Sequence, residues 1–329
     1  MVFEVILATT PTGIARASRD AGWAAGHVLS GSHIHCLAAD KLEPTSVYAG
    51  TQEGEILRSR DRGVTWEQVG AIPGRPIRAL AASPHEPGLL YAGARPAAMF
   101  RSRDGGASWE ELTGFRKIRG RRLWFSPAGK PFTAYVHGLA LSPTDPEVVV
   151  AGIEYGAIVR STDGGENWSK HRPGALRDCH DLCFHATDGT RAYEGGYSGG
   201  ATSHDAGLSW SRSREGMDRK YGWAVAADPG RPDVWYVAVA PGPRQAHGPG
   251  SAEAFVFRKV GDAPWEKLGG GLPQPLDSMP YTLATHRDAP GTVLAGLGSG
   301  DVWGTEDLGA TWAKAPVTMP ANTRMLAVA

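Results

Sequence analysis

The chain has 329 residues, 34 basic and 34 acidic residues, and a hydrophobic content of 41%. Zero net charge argues against a nucleic-acid-binding protein that relies on a global positive field, and the hydrophobic content excludes wholesale disorder. Three cysteines are too few for a disulfide scaffold, and no apolar stretch approaches the ~20 residues that span a bilayer. Because the start of the chain also lacks the features of a signal peptide, we expect a cytoplasmic monomer or small homo-oligomer with neither a nucleic-acid nor a membrane partner.

Taken in chain order, the sequence reads as short strands separated by Gly, Pro and Asp. The first segment, EVILATTPTGIARASRDAG, matches the second and third strands of later segments. Residues 33–70 contain four strand-like runs, which we call A to D: HIHCLAA, SVYAGT, EILRSR and VTWEQV. This order recurs along the chain, and the final TRMLAVA matches strand A alone. The beginning therefore lacks the strand that the end provides.

One short motif, S/T-x-D-x-G-x-S/T/N-W, falls between strands C and D. Good copies are SRDRGVTW (59–66), SRDGGASW (102–109), STDGGENW (161–168), SHDAGLSW (203–210) and TEDLGATW (305–312). Degraded copies are SRDAGW (18–23) and KVGDAPW (259–265). Successive motif tryptophans are 43, 43, 59, 42, 55 and 47 residues apart. A period in the forties with four short strands is typical of a propeller blade.

These repeats predict an all-β protein: a seven-bladed β-propeller of four-stranded antiparallel blades. Residues 1–329 form one domain, and the N- and C-terminal strands pair to complete the seventh blade. Closing the ring in this way removes exposed sheet edges.

The motif resembles the Asp-box, or BNR, repeat, and its copies cover essentially the whole chain. That resemblance implies propeller architecture but not function, because sialidases, two-domain xyloglucanases, sortilin-type receptors and photosystem II assembly factors share the repeat. A carboxylate in a tight hairpin accepts backbone N–H groups, so we interpret the box aspartates as turn-stabilising rather than catalytic. They are Asp61, Asp104, Asp163, Asp205 and Asp307.

Strand A lies beside the central channel of a propeller, so equivalent positions near its start should converge at one mouth. One such position holds His35, Arg78, His137, His180, Trp223, Tyr281 and Arg324, which we call the ring position. Two residues earlier stand His33, Pro76, Tyr135, Asp178, Tyr221, Met279 and Asn322. The alternative explanation is that polar residues line the channel only because it is filled with water. Convergent polar groups in a concavity nevertheless favour a binding site.

Two insertions, at about 115–134 and 240–252, are predicted on the same rim as this mouth. Long loops in a compact repeat are often functional, although tolerated surface variation is the alternative. The first insertion carries six basic residues and an aromatic pair, which favours an anionic ligand and a lid.

The sequence therefore offers three groups of candidate residues. The acid–base candidates are His137, His180, Tyr155, Tyr197 and Glu154. The substrate-binding candidates are Arg78, Arg324, Tyr221, Trp223, Tyr281, Arg95 and Trp124. A divalent transition metal could be held by His35, His137 and His180, with His33 as a fourth option.

Three functions remain open at this point. The first is a hydrolase or lyase that acts on a small polar or anionic molecule at the channel mouth, with or without a metal. The second is a non-enzymatic binding or assembly propeller. The third, a sialidase-like glycosidase, is disfavoured because neither the sialidase Arg-Ile-Pro motif nor a paired-carboxylate arrangement is evident.

Overall fold

The computed structural model describes residues 3–127, 129–248, 251–321 and 324–328. Its first strands are β1 (Val5–Thr10), β2 (Gly13–Ser18), β3 (Gly26–Ser30), β4 (Ile34–Ala39), β5 (Val47–Thr51), β6 (Glu55–Ser59), β7 (Glu67–Ala71), β8 (Ile77–Ala82), β9 (Leu90–Ala94), β10 (Ala98–Ser102), β11 (Glu110–Glu111), β12 (Val136–Leu141), β13 (Val149–Ile153) and β14 (Ile158–Ser161). The remaining strands are β15 (Cys179–Phe184), β16 (Ala192–Gly196), β17 (Gly199–Ser203), β18 (Ser211–Ser213), β19 (Tyr221–Ala227), β20 (Val234–Ala240), β21 (Phe255–Val260), β22 (Glu266–Lys267), β23 (Pro280–Ala284), β24 (Val293–Leu297), β25 (Asp301–Thr305), β26 (Ala313–Thr318) and β27 (Arg324–Val328).

These strands form seven antiparallel blades, as predicted. Blades 1 to 6 begin with β4, β8, β12, β15, β19 and β23, each followed in order by its next strands. The seventh blade has the order β27-β1-β2-β3, with Leu326 opposite Leu7 and Arg324 opposite Thr9. The predicted closure by terminal strands is therefore confirmed. In the described part of the chain, no helix is long and apolar enough to cross a bilayer.

The third blade has an irregular outer edge. Its fourth segment follows β14, and the Ser169 and Arg172 N–H groups donate to the Arg160 and Ile158 carbonyls at 2.8 and 2.9 Å. In return, the side chains of Ser169 and His171 accept the Arg160 and Ile158 N–H groups. Side-chain acceptors thus take the place of backbone carbonyls in half of the hydrogen bonds between β14 and the fourth segment. For this reason the described part of this blade has three regular strands.

The hydrophobic core lies between the blades, where each second strand is buried on both faces. Close approach depends on a glycine that five of the seven second strands share. A Cβ added to Gly50 would lie 2.6 Å from Ile77 Cγ2 of the next blade, and one on Gly93 would lie 2.5 Å from Val136 Cγ1. Any larger residue there would force neighbouring sheets apart.

The Asp-boxes are hairpin caps, as the sequence predicts. Asp104 accepts hydrogen bonds from the Ser102 hydroxyl at 2.7 Å, from the Ser108 N–H at 2.9 Å and from the Ser108 hydroxyl at 2.5 Å. The Trp109 indole donates to the Gly106 carbonyl at 2.9 Å. Hydrogen bonds to the Ser108 side chain and backbone lower the pKa of Asp104 to about 2. The same pattern recurs in the other four boxes.

We predict that Asp104→Ala lowers the free energy of unfolding by about 1–2 kcal/mol, because several turn donors lose their acceptor. Since the folded-state pKa is depressed, this contribution is present above the ordinary Asp pKa and disappears as pH falls towards about 2. Urea unfolding at neutral and acidic pH measures both effects. The exposed turn residue Asp262 gives a matched control, Asp262→Ala, and equal destabilisation by the two variants would contradict the capping role.

Candidate functional site

The ring position coincides with an irregularity in strand pairing. In β4, pairing moves from Ile34–Thr51 directly to Cys36–Gly50, which leaves His35 between two paired residues. Blades 2 to 6 show the same shift. A β-bulge turns its extra residue away from the regular ladder. The bulges therefore direct six of the seven ring residues, while the described β27–β1 pairing is regular.

These side chains meet at a cavity of about 820 Å³ in the channel mouth. Its lining includes six of the seven ring residues: His35, Arg78, His137, Trp223, Tyr281 and Arg324. Further lining comes from Thr9, Thr10, Pro11, His33, Ile34, Gln52, Tyr135, His247, Gly298 and Ala321. His180 does not line the cavity, because it stacks behind Trp223 with ring centroids 4.6 Å apart. Asn322, from the neighbouring position, lies outside the described residues.

Two guanidinium groups give the cavity its charge. Arg78 Nη1 lies 2.9 Å from His35 Nδ1, and its guanidinium carbon lies 4.5 Å from the Tyr135 ring centroid. Burial and the charge of Arg324 lower the pKa of Arg78 to about 10, so it stays cationic at neutral pH. Arg324 Nη2 donates to the His137 carbonyl at 3.5 Å. Within the described chain, neither arginine has a carboxylate at ion-pair distance.

Two histidines that line the cavity beside these arginines, His35 and His137, have lowered pKa values. Burial and the charge of Arg78 lower the pKa of His35 to about 4, and its Nε2 lies 2.5 Å from Gln52 Oε1. His137 is 5% exposed, and burial followed by the charge of Arg324 holds its pKa well below the ordinary value. Its Nδ1 has no hydrogen-bond partner among the described residues. Because its ring lines the cavity, the His137 imidazole can take part in proton transfer there.

Behind this wall lies a buried ion pair. His180 Nδ1 donates to the Gly222 carbonyl at 2.7 Å, and Nε2 lies 3.4 Å from Asp178 Oδ1. Burial disfavours the imidazolium, but the Asp178 carboxylate and the Gly222 carbonyl outweigh it and raise the pKa of His180. Asp178 also accepts the Tyr155 N–H at 3.2 Å. The sequence placed Asp178 near the mouth without assigning it this role.

The second insertion caps one side of the mouth, a feature that sequence reasoning missed. Its short helix α1 (Pro243–His247) places His247 between two tyrosines. Tyr221 Oη lies 2.7 Å from His247 Nε2, and His247 Nδ1 lies 2.8 Å from Tyr281 Oη. The Tyr281 hydroxyl in turn donates to the Ala246 carbonyl at 2.9 Å. The sequence signal that could have indicated this contact is the single histidine in a Gly- and Pro-rich insertion.

Three acid–base candidates lie outside the cavity lining. Glu154 is buried and accepts the Ser126 hydroxyl at 3.0 Å, and burial raises its pKa. Tyr155 and Tyr197 are exposed on the rim, and their N–H groups donate to the Asp178 side chain and carbonyl respectively. Asp178 therefore holds the two tyrosines next to each other.

Arg95 and Trp124 fix the first insertion to the rim. Arg95 donates to the carbonyls of Gly129 and Pro131 at 2.8 and 2.9 Å, and to the Thr133 hydroxyl at 3.2 Å. Trp124 packs inward against Phe115 with centroids 5.9 Å apart. Both contacts are structural, and neither residue lines the cavity.

The metal hypothesis stays a prediction. Among the described residues, no group of three or more His, Cys, Asp or Glu side chains is arranged to hold a metal ion. Both His180 nitrogens face protein oxygens, and His35 Nδ1 faces Arg78. His33 is exposed, 3.6 Å from a Glu53 oxygen. We therefore derive no step through a metal.

Comparison with known proteins agrees with the fold. A model of the BNR/Asp-box repeat matches residues 159–170. The chain is a seven-bladed Asp-box propeller. No curated protein matches it in sequence.

Solved structures with similar folds include a GH74 xyloglucanase from Xanthomonas campestris, with a TM-score of 0.70 and 19% identity over 94% of this chain and 52% of that one. YCF48 from Cyanidioschyzon merolae gives a TM-score of 0.59 and 16% identity over 89% of both chains. This propeller spans 38% of an ancestral GH74 enzyme and about half of two other GH74 chains. At these identities the likeness concerns the fold alone.

We predict that Asp178→Asn lowers the pKa of His180 below its ordinary value, because burial then acts without the counter-charge. His180 has a raised folded-state pKa, so the pair stabilises the fold below the unfolded-state pKa and its contribution is lost as pH rises through the folded value. Near pH 6, the free energy of unfolding should fall by about 1–3 kcal/mol. NMR titration of the imidazole and urea unfolding measure the two effects.

A matched control for this variant is Asp188→Asn, which alters a half-buried turn carboxylate that bonds to Thr190. It should leave the His180 titration unchanged. An unchanged titration in the Asp178 variant itself would contradict the ion pair.

Proposed function

We propose that this propeller binds a small anionic molecule in its channel mouth and acts on it by acid–base chemistry, as a hydrolase or a lyase. The observation that carries the proposal is the combination of Arg78 and Arg324, without carboxylate partners at ion-pair distance in the described chain, with the His137 imidazole, which lines the same cavity and has an unpartnered Nδ1. Buried cations and an unpartnered imidazole are costly unless water or a ligand satisfies them.

The arginines would provide the binding energy. A guanidinium presents several N–H donors in one plane and matches the geometry of a carboxylate or a phosphate. The Arg78 guanidinium lies over the Tyr135 ring, and one of its nitrogens contacts His35. Partial exclusion of water strengthens such charge-assisted contacts. The pocket therefore favours a compact anion over a neutral sugar.

His137 would supply the proton transfer. Its imidazole removes a proton either from a water that attacks the substrate and displaces a leaving group, which gives hydrolysis, or from the carbon next to the bound anion while a leaving group departs from the adjacent carbon, which gives elimination. The imidazolium then returns the proton to the leaving group. Negative charge that develops on the substrate is stabilised by the arginine pair. When protonated, His180, whose ring centroid lies 6.0 Å from that of His137, adds positive charge and, like burial and the charge of Arg324, lowers the pKa of His137.

We predict that Arg78→Gln and Arg324→Gln each weaken binding of inorganic phosphate or citrate by about tenfold or more, since each removes a charge-assisted contact. Isothermal titration calorimetry with each probe measures the effect. The control is Arg60→Gln, because Arg60 is exposed on an Asp-box turn and pairs with Glu67. Equal affinity of the wild type and both mouth variants would remove the anion site.

We predict that His137→Gln lowers kcat by about 10²- to 10⁴-fold on a panel of small anionic esters and hydroxy acids, while anion affinity changes little. Because the pKa of His137 is depressed, wild-type activity should persist into acid and decline only below the ordinary histidine range. Stopped assays across pH measure this. In the control His85→Gln, the altered residue contacts the Ser142 carbonyl outside the cavity. Unchanged kcat in the His137 variant would contradict its role.

A second candidate is a non-enzymatic binding propeller. YCF48 chains, one of them bound to a D1 peptide, are covered over 84–89% of their length, so they share the single-propeller size. The described cavity lining also contains no Asp or Glu. Anion binding without turnover across the panel would favour this function. The same lack of lining carboxylates argues against a glycosidase that uses two of them.

A further inference from the structure

Exposed apolar side chains concentrate on one part of the mouth rim. Of eight large hydrophobic residues exposed in the described chain, five lie on the first insertion and the two neighbouring rim turns. Leu123 is 83% exposed, Phe132 54% and Phe125 49%. The other two are Tyr155 and Tyr197. Such clustering on a water-facing surface is typical of an interaction site.

The insertion holds these side chains outward by folding its other residues inward. Trp124 packs on Phe115, so its neighbours Leu123 and Phe125 face away from the core. Phe125 in turn contacts Tyr155, with ring centroids 5.2 Å apart. The Arg95 contacts to the carbonyls of Gly129 and Pro131 fix the far side of the loop. The apolar groups are therefore presented by an anchored loop.

Positive charge surrounds these groups. Lys117, Arg119, Arg122 and Lys130 are exposed and form no ion pair within the described residues. Arg116 differs, because it is paired with Glu111. Since the whole chain has zero net charge, this local excess distinguishes the rim from the remaining surface.

We infer that this rim docks on an anionic lipid surface. We name as the rim patch the apolar residues Leu123, Phe125 and Phe132 with the cations Lys117, Arg119, Arg122 and Lys130. Apolar side chains of a peripheral site enter the boundary between headgroups and acyl chains, while Lys and Arg meet anionic headgroups. Tyr155 and Tyr197 have the amphipathic rings that favour this interface.

A fluid surface fits the patch better than a folded protein partner does. Leu123 projects almost fully into solvent beside Arg122, and a protein would need a pre-shaped cleft to bury it. A bilayer accommodates separate projecting groups without such a cleft. Peripheral docking needs no spanning segment, so it departs from the sequence-based expectation of no membrane partner. The channel mouth would then face the membrane, whatever molecule the cavity binds.

The test is co-sedimentation with vesicles of phosphatidylcholine alone or mixed about 3:1 with phosphatidylglycerol. Wild-type protein should bind the anionic vesicles at about 0.1 M salt and be released at about 0.5 M salt, because added ions screen the cations. Leu123→Ser with Phe132→Ser, and separately a quadruple Lys117→Gln, Arg119→Gln, Arg122→Gln, Lys130→Gln variant, should each weaken partitioning by about tenfold or more.

The matched control is Val64→Ser with Leu208→Ser, which removes two apolar side chains, each 48% exposed, from Asp-box turns. It should bind vesicles like the wild type, and thermal unfolding should confirm that all variants are folded. Absence of wild-type binding to anionic vesicles, or equal loss in the control, would overturn the inference. Binding to polyglutamate but not to vesicles would also overturn it and indicate an acidic protein partner.

Discussion

Seven sheets form a closed ring only if each packs closely, face to face, against the next. That packing determines where the channel, its mouth and the rim loops lie. Gly50 and Gly152 leave no room for a Cβ, because Ile77 and Cys179 of the following blades occupy the space. Tight radial packing brings the innermost strands together around a narrow channel. Their first residues then face one another, although successive ring residues are 43 to 59 residues apart in the chain.

Because side chains are crowded at that mouth, the charges they carry determine what the cavity can bind. Behind the wall, Asp178 Oδ1 lies 3.4 Å from His180 Nε2, so the protonated imidazole has a buried counter-charge. Arg78 and Arg324 have no carboxylate at ion-pair distance in the described chain, and burial and the charge of Arg324 lower the pKa of Arg78. An arrangement that leaves two cations facing one cavity favours an anion there, because burial without compensation costs free energy.

The repeats predicted the blades, the closure and the Asp-box caps, since turn chemistry and strand period are local signals. The same alignment found the ring position, but not the bulges that aim it, because a bulge reflects pairing with the next strand. His180 was expected in the cavity, whereas it lies behind Trp223, because side-chain stacking between neighbouring blades is not visible in the alignment. The His247 cap depends on contacts across blades, which strand periodicity does not encode.

The first insertion shows how one loop divides its residues between two tasks. Arg95, expected to hold substrate, uses its donors on the loop's carbonyls, and the inward Trp124 fills space over Phe115. Because those residues supply the anchoring, the outward Leu123 and Phe125 are not needed for packing and remain exposed. Exposed apolar side chains on an anchored loop contribute favourable free energy only when a partner surface covers them. The loop is thus structural on its inner face and carries the proposed docking residues on its outer one.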